Sequence, residues 1–149
     1  MTVGKPLANY AAARRAGDWV FLSGVIAVDP GRAVVTRFEQ LPEPARAELR
    51  GLGYDTGQMS VDVHEAPIVA QSWYVLDRIR TIAAEHGAGM DSVVRLVQYL
   101  RDLRQYPAYN RVRGLFFAQP VVSTVVEVSR MLPSDEVLVE VEATLYLGA

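Results

Sequence analysis

Pro-Val-Val-Ser-Thr-Val-Val-Glu-Val-Ser-Arg, residues 120–130, is the stretch whose reading decides the fold. β-branched residues dominate it (Val121, Val122, Thr124, Val125, Val126, Val128), Pro120 opens it and Pro133 lies just past its end. It therefore reads as a buried strand. Alternation puts Val122, Thr124, Val126 and Val128 on one face and Ser123, Val125, Glu127 and Ser129 on the other. A polar stripe in so apolar a strand suggests a cavity or a subunit seam on that side. The alternative is an edge strand with one wet face.

The surrounding chain supplies partners for it. Val137 to Leu147 alternates cleanly, with Val137, Val139, Val141, Ala143, Leu145 and Leu147 opposed to Leu138, Glu140, Glu142, Thr144 and Tyr146. Val93 to Arg101 is a third strand. Asp102 can cap a helix running to about Phe117, with Pro107 in its first turns. Pro67 to His86 carries apolar residues at three- and four-residue spacing and is the clearest helix, with Gly87 as its stop. Trp19 to Val28 is a strand broken at Ser23-Gly24, where a glycine marks a bulge or a close backbone approach. Residues 31–66 are irregular apart from a short helix over Pro42 to Leu52, and so long a connection is a lid or an insertion. Tyr54, Met59 and His64 are the side chains of that segment expected near a cleft.

One sheet with two helices on one face follows, an α+β arrangement in a single domain of 149 residues. Nothing in the chain remains to cover the other face, so a second subunit is expected there. The formal net charge of -2 offers no field for nucleic acid and no basic patch for a membrane. There is no cysteine, hence no thiol nucleophile and no zinc-thiolate site. His64 and His86 are far apart and form no metal motif. No apolar run is long enough to span a bilayer and no leader is visible, so a cytoplasmic protein is expected.

Several pieces share one pattern. Tyr10, Arg-Ala-Gly-Asp-Trp-Val-Phe-Leu-Ser-Gly at 15–24 and Asp29-Pro30 resemble the N-terminal signature of the Rid (reactive intermediate deaminase, YjgF) family. Leu-Arg-Asp-Leu at 100–103, Asn110, Phe116-Phe117, Pro120, Val-Glu-Val at 126–128, Leu132-Pro133 and Val-Glu-Val-Glu-Ala at 139–143 are similar to its C-terminal half. The order and spacing carry the resemblance. It implies a chorismate-mutase-like fold with one mixed sheet, a homotrimer with clefts between subunits, and hydrolysis of reactive enamines or imines to ketones and ammonia without metal or cofactor. It also implies a site of Tyr10, Ser23, Gly24, Asn110 and Glu140. Glu140 would position water or shuttle a proton, and Asn110 and Ser123 would bind substrate. The ion-pair alternative for Glu140 is a partner such as Arg14 or Arg130.

The chain departs from the pattern at one point. The family arginine that forks onto a substrate carboxylate falls on Val122 or Ser123, and neither is basic. Weak turnover of ordinary α-imino acids is therefore expected, unless Arg14, Arg15 or an arginine of 31–66 reaches the cleft. The competing readings are a trimer that binds a small molecule without turnover, and a ribonuclease, which the acidic balance disfavours.

Overall fold

A computed structural model describes residues 6–148. The strands are β1 (Ala13–Ala16), β2 (Trp19–Leu22), β3 (Val25–Ile26), β4 (Val93–Leu100), β5 (Val122–Glu127) and β6 (Val139–Tyr146). The helices are α1 (Glu43–Gly51), α2 (Met59–Glu85) and α3 (Tyr106–Arg113). One mixed sheet runs β1-β2-β6-β4-β5, with β3 pairing the far end of β6. Only the β4–β5 pair is parallel, as the helical crossover through α3 allows.

β6 lies at the centre and its alternation is realised in full. Val139, Val141, Ala143 and Leu145 are buried beneath the helices together with Val20, Leu96 and Leu100. α2 packs on β6 and α3, and contributes Ile68, Leu76, Ile79 and Ile82 to the core. Besides the two helices expected over the sheet, the short helix expected over Pro42 to Leu52 is present as α1, which buries Ala45 and Leu49.

The long helix starts at Met59, eight residues before the proline that was expected to open it. Pro67 is tolerated inside, at the cost of the bond to the Val63 carbonyl, because Val63 is exposed there. The Asp62 carboxylate organises the start by accepting from Thr56 N–H, Thr56 Oγ1–H and Gly57 N–H. Residues 31–58 are held by polar contacts. Arg46 grips the buried Asp55 at 2.8 and 3.1 Å, and Arg111 of α3 donates to the Tyr54 hydroxyl at 3.0 Å. Tyr54 is thus packed in the core and not at a cleft, whereas Met59 and His64 lie exposed on the first turns of α2.

The stretch at 120–130 corrects the buried-strand reading and agrees with the edge-strand alternative. β5 is the sheet's edge strand and is largely exposed in the single chain. Its polar stripe faces the helices, where Ser123 meets Gln98 and Glu127 accepts from Leu103 N–H. Its apolar stripe of Val122, Thr124 and Val126 faces away from them, beside Arg95, Val97 and Tyr99 of β4. The open face continues across β6 and β2 with Glu140, Glu142, Thr144, Tyr146, Phe21 and Trp19. Val122 is 67% exposed and Phe21 50%, so the uncovered face is apolar at both ends. α3 ends at Arg113 with Gly114 after it, one turn earlier than expected, and Phe116 and Phe117 lie outside it.

Candidate functional site

The expected site residues fall into two groups on one chain. The first surrounds the break between β2 and β3. Both short strands pair with β6, and the break leaves Gly24 against Glu140. A Cβ built on Gly24 would lie 2.8 Å from both Cδ and Oε2 of Glu140. Only a glycine lets that carboxyl group rest on the backbone without displacement. Ser23 Oγ donates to the Ala11 carbonyl at 2.6 Å, and Ser23 N–H to Ala12 at 3.0 Å. The hydroxyl therefore ties the N-terminal segment down and places Tyr10, instead of pointing at a ligand. Tyr10, Ser23 and Gly24 line one hollow of about 280 Å³, with Asp29, Arg32 and Arg78 on its rim. Of the segment 31–66, Arg32 alone lines it.

Glu140, which lies against Gly24 but is not among the residues that line this hollow, is the chemically poised group. Within the chain it makes no ion pair with Arg14 or Arg130; Arg130 lies 3.5 Å from Asp135 instead. Burial pushes its carboxyl above the usual range, and the neighbouring Glu142 adds to the shift. The two carboxylates project from the same face of β6, two residues apart. Glu142 accepts from the Tyr99 hydroxyl at 2.7 Å, which leaves Glu140 as the carboxyl without a donor among the described residues.

The second group lies on the helix side of β4 and β5. Gln98 is fully buried and donates from Nε2 to Ser123 Oγ at 2.8 Å and to the Thr124 carbonyl at 3.1 Å. Its Oε1 accepts from Tyr109 O–H at 2.6 Å and from Arg113 Nη1 at 2.7 Å. Arg113 Nη1 also reaches Ser123 Oγ at 3.1 Å, while Nη2 donates to Asn110 Oδ1 at 2.7 Å and to Tyr106 Oη at 3.1 Å. Burial keeps the Tyr109 phenol far above its ordinary pKa, hence a neutral donor. Asn110 and Ser123 are thus brought together, by an arginine that sequence reasoning missed. Its one local signal is the three-residue spacing from Asn110, which puts both on one face of α3.

The sheet separates the groups. Glu140 projects from the open face of β6 and Ser123 from the helix face of β5. A single chain does not assemble all the expected residues into one pocket. Among the described residues no three His, Cys, Asp or Glu side chains are grouped to hold a metal, and no helix is long and apolar enough to cross a membrane.

Comparison with known proteins gives concordant matches. A family model described as endoribonuclease L-PSP matches residues 46–147. A RutC family protein of Pyrococcus abyssi is 31% identical over 143 residues, 95% of this chain and 89% of that protein. The 3-aminoacrylate deaminase RutC of Acinetobacter baylyi is 26% identical over 114 residues, 76% of this chain and 68% of that protein. A solved Klebsiella pneumoniae structure, described as a candidate endoribonuclease, superposes with a TM-score of 0.86 at 54% identity, over 93% of this chain and 100% of that one.

Proposed function

Because the chain belongs to the endoribonuclease L-PSP family, the Rid (YjgF) family its motifs resemble, we propose that it hydrolyses a small reactive imine or enamine. The observation that carries this reading is Glu140: a half-buried carboxyl lying on Gly24, with no donor to hold its charge and a raised pKa. A carboxyl whose pKa is raised holds its proton more tightly than an ordinary one and is suited to give and take one proton. In its acid form it protonates the enamine carbon or imine nitrogen. Water then adds to the iminium carbon, the carboxylate takes back a proton, and the carbinolamine collapses to a ketone and ammonia. The net change is C=NH + H₂O → C=O + NH₃, which needs no redox partner. The name of the Acinetobacter baylyi relative supports this class.

RNA cleavage is the other activity associated with the family's description. A net charge of -2 and the paired Glu140 and Glu142 disfavour a phosphodiester substrate. An imine freshly generated in solution should release ammonia faster with the protein than without it. RNA degradation in the absence of imine turnover would reverse the choice.

The cleft is proposed to lie between subunits of a homotrimer, where Tyr10, Gly24 and Glu140 of one chain would meet Asn110 and Ser123 of the next. The exposed apolar residues of the open face support this, since a monomer gains nothing by leaving them wet. Light scattering should give three times the chain mass of 16.4 kDa. A monomer mass at micromolar concentration would remove the inter-subunit cleft from the account.

The reservation about α-imino acids depended on there being no guanidinium near position 122 or 123. Arg113 supplies one, but both of its Nη atoms are already engaged. The expected handicap is therefore a missing fork and not a missing charge.

A further inference from the structure

Two carboxyls stand on the open face of β6, and the neighbouring strand treats them unequally. Tyr99 of β4 is the cross-strand partner of Glu140, with Val97 opposite Glu142 and Arg95 opposite Thr144. The Tyr99 hydroxyl nevertheless donates diagonally, to Glu142 Oε1 at 2.7 Å, within the reach of an aromatic side chain. This bond above all raises the pKa of the phenol, so Tyr99 keeps its hydrogen and acts as a donor. Glu140 is half-buried on Gly24 and receives no donor among the described residues. The other charged or titratable groups described on this face are Arg95 on β4, Arg14 on β1 and Tyr146 on β6. Ile26 and Gly24 bring no charge beside Glu140, and the stripe of β5 on this face is Val122, Thr124 and Val126. Arg95 is exposed and adjoins the Val97–Glu142 pair, not the Tyr99–Glu140 pair, so its field also favours charge on Glu142. Neither arginine forms an ion pair with either carboxylate among the described residues.

We infer that Tyr99 is a positioning residue for the acid–base group: by giving its hydroxyl to Glu142, it assigns the charge to that carboxyl and the last proton of the pair to Glu140. Neighbouring carboxylates oppose each other's charge, so over a range of pH the pair holds one proton. A hydrogen-bond donor favours ionisation of the carboxyl that receives it, and burial without a donor opposes it. Glu142 has the donor and Glu140 has the burial. The charge kept on Glu142 then adds to burial in holding the proton on Glu140. Tyr99 acts through Glu142. Its role rests on the reading of Glu140 as the acid–base group and adds what sets the protonation of that group.

The test is the titration of the Glu140 carboxyl, followed by carbon NMR on the full chain with labelled glutamate and assigned by the signal lost in Glu140→Gln. In wild-type protein the upper titration step of the pair should belong to Glu140. Tyr99→Phe keeps the ring and removes the donor. It should shift the proton from Glu140 toward Glu142 by about tenfold in occupancy ratio, the effect of losing one hydrogen bond to a charged group, so that both signals share the upper step. Glu142→Gln removes the neighbouring charge, and Glu140 should then lose its proton at lower pH than in wild type. The alkaline limb of imine hydrolysis should move to lower pH in the same variant, because the acid form of Glu140 is depleted sooner. An unmoved Glu140 titration in either folded variant would overturn the inference, since a merely structural tyrosine leaves it unchanged. A wild-type upper step carried by Glu142 would overturn it as well. The titration needs no turnover. Unmoved titration in a protein that hydrolyses imines would sink this role of Tyr99 and leave the proposed function. The expected shifts in a protein that hydrolyses none would sink the function and leave the carboxyl pair.

Discussion

Glu140→Gln should lower imine or enamine hydrolysis by roughly 10²–10⁴-fold, the usual worth of a positioned acid–base group. Glutamine keeps the shape over Gly24 and removes the exchangeable proton. Stability should move the other way. The carboxyl holds its proton more tightly in the folded protein than in the unfolded chain, because burial and Glu142 oppose its charge. Its contribution is therefore most favourable at acid pH and is lost as pH rises through the raised folded value. At neutral pH the charged form weakens the fold, so Glu140→Gln should melt higher than wild type. The gap should close as pH falls below the ordinary carboxyl range. A variant that loses activity and also melts lower at neutral pH would show Glu140 to be a structural group.

Gly24→Ala should separate geometry from chemistry at the same site. The added Cβ would sit 2.8 Å from the Glu140 Cδ and Oε2, closer than atoms pack. Gly24 is not among the glycines with positive φ, so alanine is not strained on backbone grounds. The flexible end of Glu140 is what must move. The fold should survive with a small change in melting temperature, while turnover falls about 10²-fold, as a displacement near 1 Å can produce. Full activity in a folded Gly24→Ala would mean that the position of Glu140 does not matter for turnover.

Chain-local features were legible where the chain itself supplies the partner. Alternation through 139–147 foretold the buried Val139, Val141, Ala143 and Leu145, since β6 is flanked on both sides within one molecule. The glycine at 24 read as a bulge or a close approach; the approaching group is the Glu140 side chain, more than a hundred residues away and identified only by β3–β6 pairing. The same alternation misled at 120–130. Its apolar face is apolar for a surface that one chain does not cover, and period-two patterning cannot tell a helix layer from another subunit. Pro67 misplaced a helix start because an exposed first segment tolerates a missing bond. Arg113 was invisible as a site residue, because Gln98 and Ser123 reach it from two strands. Ser23 shows the converse: the motif offered it for the site, yet its hydroxyl donates to the Ala11 carbonyl.

The most direct test of the central claim is ammonia release from imines made in situ. An amino-acid oxidase supplies imines that carry a carboxylate, and an amine oxidase supplies neutral ones. Wild-type protein and Glu140→Gln are followed side by side against buffer. The account predicts that wild type accelerates hydrolysis of at least one imine, while Glu140→Gln stays at the buffer rate. Wild-type rates equal to buffer for every imine, or equal acceleration by Glu140→Gln, would contradict it; the first result would leave the reading of a protein that binds a small molecule without turnover.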